Sequence, residues 1–266
     1  MRATCIFPTV CLATIVQVAP TSSYAVEVTP TKLVYRVEHP KYGDIGTYTN
    51  IIEKNADQTT VTTQGRVKVL ILGVVAYRQK FDRIERWIGS RLVNFHGVTT
   101  KKGKKTEVDG IAAGDRFTLT TPTGTVNAPI NVKLANPWSE TILRSNSILN
   151  SQIVVTPENG RVENVSVKGA KATEVAINGQ EIETRHYRMD LQDEPKSYEV
   201  WFDEGGIPVR FADVSKTETI TFDLVECEGP AVCSWYGVPS TRRVNRGANA
   251  RPSPVGEYRT IQTAAP

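Results

Sequence analysis

Tyr198-Glu199-Val200-Trp201-Phe202-Asp203-Glu204-Gly205-Gly206-Ile207-Pro208-Val209-Arg210-Phe211 alternates around a Gly-Gly step. Tyr198, Val200 and Phe202 share one face, and Ile207, Val209 and Phe211 alternate in the same way on the return. Period two on both sides of a glycine turn is the signal of an antiparallel hairpin. A looser copy lies earlier, Glu85-Arg86-Trp87-Ile88-Gly89-Ser90-Arg91-Leu92-Val93. Both copies place Glu two residues before Trp, then a turn with Gly, then an aliphatic residue and Val. Both are preceded by Tyr-Arg, at Tyr77-Arg78 and Tyr187-Arg188. The pattern predicts two related meanders on one core. The fold class is therefore all-β: a curved antiparallel sheet or open half-barrel meander with at most one or two short helices.

Outward from these hairpins the same period recurs. Residues 32–38 put Leu33, Tyr35 and Val37 on one face, and residues 45–52 follow, with Gly46 marking a bend or bulge. Residues 59–72 and 74–88 are rich in β-branched side chains, whose stiffness suits a pleated surface. Residues 92–99 complete the first meander. Lys101-Lys102-Gly103-Lys104-Lys105 is a basic hairpin turn, either a solvated loop or a contact for an anionic surface. Residues 106–111 and 115–121 form the next hairpin. The alternation fails at residues 136–143, where Ser139 is placed to cap a short helix. Turn signals at Glu158-Asn159-Gly160 and Asn178-Gly179 bound further strands, a longer strand covers residues 181–191, and residues 219–225 close the fold with Ile220, Phe222 and Leu224 in phase.

The two ends differ from this body. Residues 1–25 read as a signal peptide: Arg2, a mostly apolar run over 6–18, and Ser23-Tyr24-Ala25 with cleavage expected after Ala25. Export to the periplasm follows as an expectation, and no later stretch is apolar and long enough for a transmembrane helix. Residues 26–236 are expected to form a single antiparallel β domain. Residues 237–266 hold five Arg against one Glu, with few apolar residues, and read as a disordered basic tail. That tail accounts for the net charge of +4. A near-neutral body argues against nucleic-acid binding, which needs basic residues on a folded face. Of four cysteines, Cys5 and Cys11 leave with the signal. Cys227 and Cys233 close a short Gly-Pro loop and read as a disulfide, because a zinc site would need two more ligands nearby.

Few residues point to chemistry. His39, His96 and His186 form no metal-ligand pair, and neither a Gly-x-Ser-x-Gly elbow nor a phosphate-binding loop is present. No cofactor or metal is expected. Glu85 and Glu199 occupy matching places in the two hairpins. They would do acid–base work only if they met in a cleft; otherwise each pairs with a nearby Arg such as Arg83 or Arg210. Tyr77, Trp87, Phe95 and Trp201 are large apolar groups near turns. They either pack as core or line a cavity for an apolar ligand.

The hairpin around Trp201-Phe202-Asp203 with Gly205 and Gly206, the Glu85-x-Trp87 strand followed by Leu92-Val93, the Pro137-Trp138 step and the His186-Tyr187 strand together resemble an exported proteobacterial family. That family is known as a domain of unknown function, and its mark is a Trp-Tyr-Asp-x-x-Gly hairpin; here Phe202 replaces the Tyr. The resemblance covers about residues 30–226. In architecture the chain is also similar to the half-barrels of periplasmic lipoprotein carriers, a likeness of fold that does not establish function. The resemblance implies no catalytic residues. It leaves a non-enzymatic periplasmic protein holding an apolar or lipid-like ligand on its concave face as the leading expectation. The alternatives are a filled-core envelope protein whose basic tail contacts anionic polymers, and a hydrolase using the two carboxylates.

Overall fold

The computed structural model describes residues 29–145 and 151–229. Ala25 and the expected signal peptide, the expected basic tail and Cys233 lie outside these residues. Fifteen strands share one sheet. The first eight are β1 (Thr31–His39), β2 (Gly43–Asn55), β3 (Gln58–Ile71), β4 (Val74–Ile88), β5 (Arg91–Lys101), β6 (Lys104–Ala113), β7 (Arg116–Thr121) and β8 (Gly124–Pro129). A crossing segment follows, with β9 (Lys133–Leu134) and the short helix α1 (Glu140–Arg144). The second run is β10 (Ser151–Val155), β11 (Val162–Ile177), β12 (Gln180–Leu191), β13 (Ser197–Phe202), β14 (Pro208–Val214) and β15 (Thr219–Glu228).

From β1 to β8 and from β10 to β15 each strand pairs antiparallel with its neighbour in sequence, as hairpin closure favours. The exception decides the architecture: β15 pairs antiparallel with β1, so the two ends of the described chain meet in the middle of the sheet. The edges are β8 and β9, which follow one another in the chain. The sheet is a meander curled round and left open at that seam. The pairing of β9 with β10 is parallel. A single curved sheet with one five-residue helix matches the predicted class. Ser139 caps α1 as expected, its Oγ accepting from the Ile142 N–H at 3.4 Å.

Curvature has a visible cause. Gly65, Gly97 and Gly110 sit on the concave face beneath the rings of Phe81, Phe95 and Phe117. A Cβ at any of the three would fall inside the ring's van der Waals envelope. Glycine lets the sheet bend, and the aromatic ring restores the buried area that glycine lacks. Phe95 and Phe117 are fully buried, each worth ~1.5–3 kcal/mol of apolar burial.

The curl brings distant strands together. Gly160 closely approaches Thr121 and Val108, and Lys101 pairs with Glu158 at 3.0 Å. On the concave side Tyr48, Phe211 and Phe222 form an aromatic cluster, with centroids 4.3 Å apart for the stacked phenylalanines and 5.2 Å for Tyr48–Phe211.

The two hairpins that decided the fold class are not structural copies. Tyr77, Arg78, Glu85 and Trp87 all lie on β4, whereas Tyr187 and Arg188 lie on β12 and Glu199 and Trp201 on β13. Glu85 and Trp87 face the core. On β13 the buried apolar residues are Val200 and Phe202, which turns Glu199 and Trp201 to the other face. A shift of one residue in phase reverses every side chain, so similar local sequence gave opposite placement. The turn after β13 is closed by Asp203, whose Oδ1 accepts from the Ile207 N–H at 2.8 Å, and Gly206 rather than Gly205 adopts the left-handed conformation.

Candidate functional site

The concave face encloses a cavity of about 680 Å³. Val37, Val69, Phe81, Phe211 and Phe222 supply apolar wall from the sheet, and Leu134 and Ile142 cover it from the crossing segment. That volume falls within the ~300–1,000 Å³ of ordinary small-molecule sites. Its polar lining is mostly matched: Lys101 with Glu158, Lys196 with Asp213 at 2.9 Å, and His39 with Glu218 at 2.9 Å.

Two cations are not matched in this way. Arg83 lines the cavity yet is only 8% exposed, and its Nε has no hydrogen-bond partner. Its guanidinium lies over the Phe81 ring, 4.1 Å from the centroid. Burial pulls it below its ordinary value, although an arginine stays charged at neutral pH. Lys133, also buried, donates to the Ser90 carbonyl at 2.6 Å and the Ser145 Oγ at 2.9 Å. Desolvation lowers its ammonium to about 8. Among the described residues neither side chain forms an ion pair with a carboxylate.

Beside Arg83 lies a buried polar network organised by the crossing segment. The Tyr48 hydroxyl donates to Asn136 Oδ1 at 2.7 Å, and Asn136 Nδ2 donates to Thr63 Oγ1 at 3.1 Å and to Glu85 Oε1. Glu85 Oε2 accepts from the indoles of Trp87 at 2.9 Å and Trp138 at 3.2 Å. Three N–H donors favour the carboxylate, yet full burial outweighs them and pushes Glu85 up to about 7. A second buried group anchors α1: Arg185 holds Glu140 through both oxygens, at 2.8 and 2.6 Å, and Tyr187 donates to Glu140 at 2.7 Å. Arg185 keeps Glu140 below the usual carboxylate range.

Of the four candidate ligand residues, the structure brings Tyr77 to the cavity. Trp87 and Phe95 are packed in the core, Trp87 edge-on to Trp138 at 5.8 Å, and neither is among the lining residues. Trp201 stacks on His186 on the opposite face, centroids 4.4 Å apart and rings 9° from parallel. The Glu199 carboxylate is there too, accepting from Arg188 at 2.8 Å and lying 3.0 Å from His186, although the residue also borders the cavity. The candidate carboxylate pair is thus divided between faces, and Glu85 pairs with indoles and an amide instead of an Arg. Cys227 packs against the core from β15. His96, Glu107 and Asp109 gather on the surface, with His96 2.7 Å from Asp109, but exposed acidic groups of this kind are common without a metal. Sequence reading missed Arg83, Lys133 and Asn136 as cavity residues. Arg83 had a signal, since it stands in phase with Phe81 and Trp87 on one face of its strand; Lys133 and Asn136, outside any alternating run, had none.

Fold and site together define an open antiparallel β half-barrel with an internal, mostly apolar cavity. The chain belongs to the family described as a domain of unknown function (DUF6134), whose model matches residues 35–225. Among solved structures it is similar to a β-barrel-like protein of the domain of unknown function DUF1849 from Brucella abortus. The identity is 10%, the match covers 77% of this chain and 99% of that one, and the TM-score is 0.54. At that identity the likeness extends to the fold alone. A DUF1089-family protein from Pseudomonas aeruginosa aligns over 64% of this chain and 84% of its own at 10% identity, with a TM-score of 0.27, too low to carry weight. No curated protein matches the chain. Among the described residues no helix is long and apolar enough to cross a membrane.

Proposed function

We propose that this chain is a non-enzymatic, exported binding protein whose cavity holds a lipid-like ligand, an acyl chain with an anionic head. The observation that carries the proposal is Arg83, a buried cation whose Nε has no hydrogen-bond partner, on the wall of a mostly apolar cavity. An unpaired buried charge costs several kcal/mol, and a carboxylate or phosphate on the guanidinium fork would offset much of it. A cavity of this size supports a ligand over a filled core. A hydrolytic role lacks support, because Glu85 has both oxygens taken by N–H donors and Glu199 has its two oxygens held by Arg188 and His186. Export rests on the N-terminal reading, and the Cys227–Cys233 bridge on loop spacing in an exported chain.

Native mass spectrometry of protein purified from its own periplasm should find an acyl species released on denaturation. Titration of stripped protein with decanoate, decyl phosphate and decanol should rank the two anions at least ~10-fold above the alcohol, about 1.4 kcal/mol. Arg83→Met should abolish the ranking while keeping decanol binding. Equal binding of all three would remove the anionic head and leave an apolar site. No binding of any, with no acyl species on the native protein, would sink the proposal.

A further inference from the structure

We infer that the free end of the hairpin formed by β3 and β4 is a docking element for an anionic lipid surface. Strand β2 accompanies β3 only to Val67, and β5 accompanies β4 only from Gln79. Between these limits the hairpin stands, among the described residues, as a two-stranded ribbon without a paired strand on either side. Its tip is Leu70-Ile71-Leu72-Gly73-Val74-Val75. Leu72 is 99% exposed and Val74 70%, and Leu70, Ile71 and Val75 are also exposed. Turns of this shape favour Asn or Asp followed by Gly, because both central residues take positive φ. Here Leu72 occupies the left-handed position at φ 50° and Gly73 follows at φ 79°. A bulky aliphatic side chain is disfavoured there by backbone sterics and by water alike.

Below the tip lies a cationic collar. Lys68 is registered opposite Arg78 and Arg66 opposite Lys80, all four exposed. Like charges across a strand pair repel. Lys80 has Asp82 at 3.0 Å, whereas among the described residues Arg66, Lys68 and Arg78 have no carboxylate partner. The basic turn between β5 and β6 joins the collar, its Lys102 N–H donating to the Arg78 carbonyl at 3.0 Å. An aliphatic tip above cations clustered on the ribbon's outer face matches a bilayer interface, where apolar side chains enter the acyl region and Lys and Arg stay at the headgroups. The hairpin would dock in this way whether or not the cavity holds a ligand. It also borders the cavity, since Ile71, Ala76 and Tyr77 line it from the ribbon's inner side.

The test is co-flotation of the full mature chain with phosphatidylcholine vesicles, with and without phosphatidylglycerol. Binding should need phosphatidylglycerol and weaken with added salt. Leu72→Asp combined with Val74→Asp should lower it at least ~10-fold, since both changes remove inserted apolar area. Lys68→Gln with Arg78→Gln should reduce it to the level on phosphatidylcholine alone. A single Leu72→Trp should give a blue-shifted emission on vesicles. The substituted side chains are exposed, and unchanged circular dichroism of each variant checks its fold. Undiminished vesicle binding by the Asp variant, or none by the parent, would overturn the inference. So would a concentration-dependent dimer that Leu72→Asp dissolves and vesicles do not compete with, which would assign the tip to a second copy of the chain.

Discussion

Glu85 shows how one buried side chain sets a pH dependence. Its carboxyl is raised from the ordinary value of 4.5 to about 7, by burial above all. Between those limits the folded state holds a proton that the unfolded state has released, so stability falls as pH rises through this window and levels off above about 7. The full effect is on the order of 3 kcal/mol. Glu85→Gln removes the titration but turns an amide toward N–H donors. It should therefore be less stable than the parent at pH 5, with the gap narrowing by pH 7.5. Urea midpoints at the two pH values measure this, and a gap that stays constant would mean that Glu85 does not titrate in that range. The Glu-x-Trp spacing was plain in the sequence. That the indoles of Trp87 and Trp138 converge on this carboxylate was not, because Trp138 arrives from a segment 53 residues away.

At the scale of elements, the glycines beneath phenylalanines set the bend. Gly65→Ala would drive a Cβ into the Phe81 ring, which packs against the Arg83 guanidinium and the Tyr48 ring. Overpacking of this kind costs ~1–3 kcal/mol or more. Gly169→Ala, at a β11 bulge with open space around it, should change stability by less than ~0.5 kcal/mol. Chemical denaturation of the two variants compares them, and equal midpoints would show that Phe81 swings aside freely. Gly65 sits within a Thr- and Val-rich strand, and its sequence gives no hint of the ring above it. The pairing Gly65↔Phe81 depends on the β3–β4 register, which the two-residue turn at Leu72-Gly73 and its bulge determine.

Across the whole molecule the pairing of β1 with β15 unites the two runs of strands. Tyr35 extends this stitch, its hydroxyl donating to the Pro208 carbonyl of β14 at 2.8 Å. A chain ending before Thr219 would leave β1 and β14 as long open edges, which invite edge-to-edge pairing. It should run as aggregates on size exclusion, whereas a chain ending after Gly229 should remain monodisperse with unchanged far-ultraviolet dichroism. Monodisperse, folded behaviour of the shorter chain would show that the two runs of strands hold together without the stitch.

What the sequence determined by itself was local: strand after strand from period-two alternation, the capped helix at Ser139, the turns, and with them the all-β class. These depend on neighbours a few residues apart, whose sterics and burial are set by the pleat and the helical turn. Tertiary structure alone decided which residues meet. It placed the open seam between β8 and β9, turned Glu85 inward and Glu199 outward, and left Arg83 in the cavity without a carboxylate partner. The reason is physical: a facing is settled by register against a particular partner strand, and a cavity by how far the whole sheet curls, and neither is encoded in any single stretch of the chain.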